Sequence, residues 1–164
     1  MGHAANSDPG RTTVPRFQTS NLVKRFISNR GCILGAGQYS EIMTTILLVD
    51  DDPLQAVLRK SMLERKFVNV ARVSDAAEAL CLVEQPQFAD HLGLVITGLN
   101  MPGVGAPAFV TELHERLPKV PVLVLGGGAD AASDYDSAWV RFLPRPFAGE
   151  AILAAANEML AQHA

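Results

Sequence analysis

From Thr44 onward, apolar residues alternate between short continuous runs and helical stripes. Ile46–Val49 is an unbroken apolar run stopped by Asp50, Asp51, Asp52 and Pro53. An unbroken run of this length reads as a strand buried on both faces. Asp52 is placed to cap a helix opening at Pro53, since proline fits the first helical position. That helix is expected over Pro53–Lys66, with Leu54, Val57, Leu58, Ser61 and Met62 on its inward face. A strand follows over Val68–Val73. Ser74 then caps a helix running to about Glu84, carrying Ala77, Leu80 and Cys81 inward. Gly93–Thr97 is a strand, Asn100–Gly105 a loop, and Pro107–Leu117 a helix with Phe109, Val110, Leu113 and Leu117 apolar. Pro121–Leu125 and Trp139–Leu143 are strands. Between them lie the turn Gly126–Gly128 and a segment, Ala129–Asp136, with room for at most two helical turns. An alanine-rich helix over Phe147–Gln162 follows. Strands alternating with helices imply a parallel sheet covered on both faces, with right-handed crossovers.

The first 42 residues read differently. Met1–Ser20 is rich in Gly, Pro, Ser, Thr and Asn without apolar periodicity, the composition of a disordered segment. Asn21–Ser28 has the spacing of a short amphipathic helix. Gly31, Gly35 and Gly37 oppose anything longer. Gly35-Ala36-Gly37 is half of a dinucleotide fingerprint, with no strand before it and no third glycine after it. The expected organisation is therefore a weakly ordered extension over 1–42 and one domain over 44–163. Met43 stands directly before the first strand and is an alternative start of translation.

Composition narrows the class. At 48% hydrophobic residues the chain can bury a core. Its net charge of −3 supplies no basic field for nucleic acid. The basic residues Arg11, Arg16, Lys24, Arg25 and Arg30 are concentrated in the first 42 positions, which leaves the remainder acidic. No apolar stretch reaches membrane-spanning length, and no signal peptide is visible. Cys32 and Cys81 form no C-x-x-C pair, which fits a reducing compartment, so the cytoplasm is the default location. Cys81 falls at core spacing and is expected buried.

The chemistry gathers where strands end. Asp50 and Asp51 stand at the carboxyl end of a buried strand, the edge at which open α/β sheets place their sites. Crowded carboxylates repel unless a cation lies opposite or one holds a proton. Three further strand ends carry Gly98-Leu99-Asn100-Met101-Pro102-Gly103, Gly126-Gly127-Gly128, and Phe142-Leu143-Pro144-Arg145-Pro146-Phe147.

The succession V-D-D-D-P, L-N-M-P-G, an apolar fourth strand and R-P-F resembles the receiver domain of two-component response regulators, over about residues 44–163. The resemblance implies a flavodoxin-like (βα)5 fold with strand order 2-1-3-4-5. It also implies a histidine kinase that donates a phosphoryl group to an aspartate. Mg²⁺ assists, held by an acidic pair, that aspartate and a backbone carbonyl two residues on. A Ser or Thr and a Lys then read the phosphoryl group. Carried over residue by residue, the acidic pair is Asp50 and Asp51, and the carbonyl is that of Asn100. The phosphoacceptor position is Gly98, which has no side chain to phosphorylate. The hydroxyl switch position is Gly126, and the aromatic switch is Phe142, a ring without a phenol. The lysine is replaced by Arg145, followed by Pro146 in a bond that is often cis in the family. The run from Gly126 to Arg145 is also shorter than usual, by about one turn of the fourth helix. In many relatives that region forms the dimer face.

Two readings fit these departures: a decayed receiver that keeps only its fold, or a phosphorylation-independent pseudo-receiver that binds partners constitutively. The second is expected. It describes a stand-alone, non-enzymatic interaction module in bacterial phosphorelay signalling, without an output domain. It would be a monomer or weak homodimer, binding a histidine kinase, a phosphotransfer protein or another signalling protein, and neither nucleic acid nor membrane. No cofactor is required, and Mg²⁺ binds weakly, if at all, through Asp50, Asp51 and Asn100. Arg145 is expected to bridge Asp50 or Asp51, because a guanidinium fork can join carboxylates. Two alternatives stay open: an anion- or small-molecule-binding module using the glycine-lined pocket, and a receiver phosphorylated on a substitute carboxylate, Asp51 or Asp52. His3, His91, His114 and His163 lack metal-ligand spacing and read as surface residues. Gly126–Gly128 reads as a flexible turn, Asp134–Asp136 with Tyr135 as a solvated helix end, and Met101 as packing.

Overall fold

The computed structural model describes residues 44–128, 135 and 137–164. The expectations for residues 1–42 and for a short helix over 129–136 lie outside the described residues, Tyr135 excepted.

Five strands form one sheet: β1 (Thr45–Val49), β2 (Asn69–Val73), β3 (Leu92–Gly98), β4 (Val122–Leu125) and β5 (Val140–Leu143). Their order is β2-β1-β3-β4-β5, and every neighbouring pair is parallel. All five residues of β1 are buried, as its unbroken apolar run requires. The helices are α1 (Pro53–Glu64), α2 (Ala76–Val83), the single turn α3 (Pro86–Ala89), α4 (Ala106–Arg116) and α5 (Gly149–Gln162). The turn α3 is too short to leave a periodic signal, and the apolar pattern did not reveal it.

Alternate strand residues feed two cores. Leu47, Val49, Ala71, Val73, Val95, Val122 and Val124 pack with Ala79 and Val83 of α2 and with Phe109 and Leu113 of α4. Ile46, Leu48, Val70, Leu94, Ile96, Leu123 and Leu125 pack with Leu63 of α1 and with Ile152, Ala156 and Met159 of α5. Period-two alternation on a parallel sheet makes both faces apolar, and helices close both.

Helix α1 begins as the sequence requires. Pro53 is its first residue, and the Asp52 carboxylate accepts N–H bonds from Leu54 (2.9 Å) and Gln55 (3.1 Å). Its orientation differs from expectation. Leu54 is 67% exposed, Val57 and Leu58 are each 57% exposed, and Ser61 is also outside. The inward row is Ala56, Arg59 and Leu63, with Met62 half-buried. The small Ala56, fully buried, lets the helix lie close against the sheet. In α2 the cap is Asp75, whose carboxylate accepts the Glu78 N–H at 2.8 Å, one residue beyond the expected Ser74. Ala76, Ala79 and Val83 therefore point inward, while Ala77 and Cys81 are exposed. The inward row is displaced by one residue, and one residue turns a helix by about 100°. Cys81 is thus a surface thiol, not a core residue. Tyr135 is no solvated residue either: it is 6% exposed and lies parallel to Phe142, with centroids 5.6 Å apart.

Candidate functional site

The carboxyl end of the sheet brings Asp50, Gly98, Gly126 and the chain around Arg145 onto adjoining strand ends. Asp50 follows β1 directly and is 4% exposed, with its N–H held by the Val73 carbonyl at 3.1 Å. One oxygen, Oδ1, accepts the N–H of Asp52 at 3.2 Å. The other, Oδ2, is paired with Arg59 Nη1 at 2.5 Å. The Asp50 side chain is 5% exposed and that of Arg59 13%. Asp51 is exposed.

Gly98 closes β3, in register with Leu125. A β-carbon built on it would meet no heavy atom within 4 Å, so the space beside this strand end is open. The loop beyond is fixed from below. Leu99 N–H donates to the Leu125 carbonyl (2.9 Å), and Ala106 N–H to the Leu99 carbonyl (3.2 Å). The buried Thr97 hydroxyl lies 3.2 Å from both the Gly98 carbonyl and Met101 Sδ. Met101 is buried, in the packing role expected of it. Asn100 is exposed.

Gly126 ends β4 with φ +119°, a backbone that side chains rarely adopt, and its N–H donates to the Leu143 carbonyl. The Arg145–Pro146 bond is cis. Arg145 is exposed, and its N–H is held by the Gly127 carbonyl at 3.1 Å. The expected bridge from Arg145 to the acidic pair does not form. The guanidinium that pairs with Asp50 belongs to Arg59, which reaches back from the second turn of α1. Arg145 Nε instead lies 3.7 Å from where a Gly126 β-carbon would be.

This donor set does not fit Mg²⁺. The ion requires near-octahedral hard oxygens. Here both oxygens of Asp50 are engaged and position 98 has no carboxylate, which leaves the exposed Asp51 as the one free carboxylate of the pair. Among the described residues, no group of three or more His, Cys, Asp and Glu side chains is gathered for a metal. The histidines hold structural positions: His91 bonds the Gln87 carbonyl, half-buried His114 bonds the Val120 carbonyl, and half-buried His163 stacks on Trp139. His3 lies outside the described residues. Arg59 is the site residue that the sequence reading missed. Its one signal was its place in the row Ala56-Arg59-Leu63.

Comparison with known proteins agrees with the geometry. The response regulator receiver domain family matches residues 46–157. The C4-dicarboxylate transport transcriptional regulatory protein DctD of Pseudomonas aeruginosa is 31% identical over 117 residues, which are 69% of this chain and 24% of that protein. The chain thus spans about a quarter of that relative's length. Among solved structures, a response regulator receiver protein from Sinorhizobium medicae superposes with a TM-score of 0.65 at 20% identity, covering 74% of this chain and 97% of the other. A receiver domain from the hybrid histidine kinase CckA superposes with a TM-score of 0.59 at 26% identity, covering 71% and 98%. No described helix is long and apolar enough to cross a membrane.

Proposed function

The chain belongs to the response regulator receiver family, and from that premise we propose that it is a phosphorylation-independent receiver, a protein-interaction module in bacterial two-component signalling. The observation that carries this reading is Gly98. It occupies the end of β3 beside Asp50, where the family resemblance puts the phosphoacceptor, and it offers no oxygen nucleophile. Three further features support the reading. The Asp50 carboxylate is already neutralised by Arg59. Gly126 has no hydroxyl to follow a phosphoryl group. Phe142 is held against buried Tyr135, which fixes the ring at the aromatic switch position. The partner is a signalling protein, such as a histidine kinase or a phosphotransfer protein. An exposed apolar row on α1, Leu54, Val57 and Leu58, is a surface of the kind that partners cover. The module acts as a monomer or weak homodimer in the cytoplasm, by binding and not by catalysis, and without a required cofactor.

Incubation with acetyl phosphate or beryllofluoride, followed by intact-mass analysis and thermal melting, tests this. No adduct and no shift in melting are expected. A hydroxylamine-labile acyl phosphate on the wild-type chain would refute the reading and point to Asp51 or Asp52 as substitute acceptor. Stabilisation by a small anion, without covalent change, would favour a ligand-binding module.

A further inference from the structure

We propose that Arg59 is a built-in counter-ion that takes the place of a divalent cation at Asp50, closing the acidic end of the sheet without metal. Ala56, Arg59 and Leu63 lie on one row of α1, and the two flanking residues are fully buried. A lone guanidinium in such a row is unfavourable unless a carboxylate meets it, because an unpaired buried charge is costly. Asp50 Oδ2 meets it at 2.5 Å. The other oxygen accepts the N–H of Asp52, the residue that caps α1. One carboxylate therefore ties the end of β1 to both the N-terminal cap and the second turn of α1. A divalent cation would need those same oxygens, and it would have to displace a charge that is part of the chain. Unlike a bound ion, that charge is present at every metal concentration.

The inference deepens the phosphorylation-independent reading and rests on it only for the use of the pocket. Its test is separate. Full-length wild type, Arg59→Gln, Arg59→Met and Asp50→Asn/Arg59→Gln are titrated with Mn²⁺ by loss of the free-ion EPR signal, and are melted with and without Mg²⁺. An ion pair that occupies Asp50 at least nine-tenths of the time lowers apparent metal affinity about tenfold or more. Wild type should therefore take up little Mn²⁺ and show no Mg²⁺-dependent melting. Either single Arg59 variant should melt lower, bind Mn²⁺ about tenfold tighter, and regain part of its melting temperature in Mg²⁺. The double variant should lose that gain. Wild-type uptake of Mn²⁺ equal to that of the Arg59 variants overturns the proposal, and so does retention of the gain after Asp50 is removed. If both Arg59 variants fail to fold, the wild-type titration still decides, since tight metal uptake by the paired site is incompatible with a built-in counter-ion. An acyl phosphate on wild type would sink the functional reading and leave this comparison intact.

Discussion

Replacing Gly98 by alanine should stabilise the domain, and replacing it by aspartate should not, unless Mg²⁺ is added. Three terms set the magnitude. The first is steric: a β-carbon at this position meets no heavy atom within 4 Å, so nothing must move. The second is backbone strain. Among the described residues the glycines with positive φ are Gly103, Gly126 and Gly127, and Gly98 is not among them, so its conformation is open to any residue. What remains for alanine is the unfolded-chain entropy that glycine loses on folding, about 0.5–1 kcal/mol in its favour. For a domain of this size that raises the melting temperature by roughly 2–5 °C. Aspartate gains the same entropy but adds a charge to a strand end that already carries Asp50 and Asp51. Like charges 4 Å apart repel by about 1 kcal/mol in water and about 4 kcal/mol near a protein surface. Because Arg59 already offsets Asp50, the lower end applies, and Gly98→Asp should fall between neutral and about 0.5 kcal/mol below wild type. Mg²⁺ should recover that loss for aspartate alone, since the third carboxylate supplies a hard oxygen ligand. Urea denaturation of wild type and both variants, with and without Mg²⁺, measures all three terms. A loss of more than about 1 kcal/mol in Gly98→Ala would show that the strand end is not open. Equal Mg²⁺ responses from the two variants would show that the metal ignores position 98.

Three other substitutions test the scaffold around the site. Asp52→Ala should lose about 0.5–2 kcal/mol in urea denaturation, because two N–H groups of the first turn of α1 lose their acceptor. Gly126→Ser returns a hydroxyl to the end of β4, but at φ +119° it should cost about 1–2 kcal/mol in melting experiments, and acetyl phosphate should still leave the protein unchanged. Arg145→Ala should stay within about 0.5 kcal/mol of wild type in the same assay, since the exposed guanidinium does not hold the acidic pair.

The sheet was legible because its interior strands β1 and β4 hold short unbroken apolar runs bounded by Asp, Gly or Pro, and the edge strands β2 and β5 keep apolar residues on either side of a single arginine. The expected Gly93–Thr97 became Leu92–Gly98, and the other strand ends moved as little. The opening of α1 was equally legible, because Asp52 and Pro53 act locally. Helix orientation was not. Counting apolar residues on α1 favours the row with Leu54, Val57 and Leu58, and fully burying each would contribute about 1.5–3 kcal/mol. The fold forgoes that gain, because its close approach at Ala56 and the tie from Arg59 to Asp50 both lie on the other row. In α2 the choice between Ser74 and Asp75 as cap decided which residues turned inward. Both candidates carry a capping oxygen, and composition does not separate them.

The site divides along the same line. Asp50 could be found because carboxylates directly after a buried strand are chemically conspicuous wherever the chain goes next. Its partner could not, because Arg59 stands nine positions later on a helix where a charged residue is by default solvent-facing. Arg145 drew attention through its motif, being adjacent to a conspicuous proline, but adjacency in a motif says nothing about which way an exposed loop side chain points. A discriminating signal did exist. The row Ala56-Arg59-Leu63 places a guanidinium between two small or apolar residues, about two turns from a capping aspartate that continues directly from an acidic strand end. A charge in such a row is either an error in the helix orientation or half of a buried pair, and Asp50 and Asp51 were the unassigned acids immediately behind it. Weighing both rows of α1 by what each would leave unpaired, and not by apolar count alone, would have selected the row that the fold adopts.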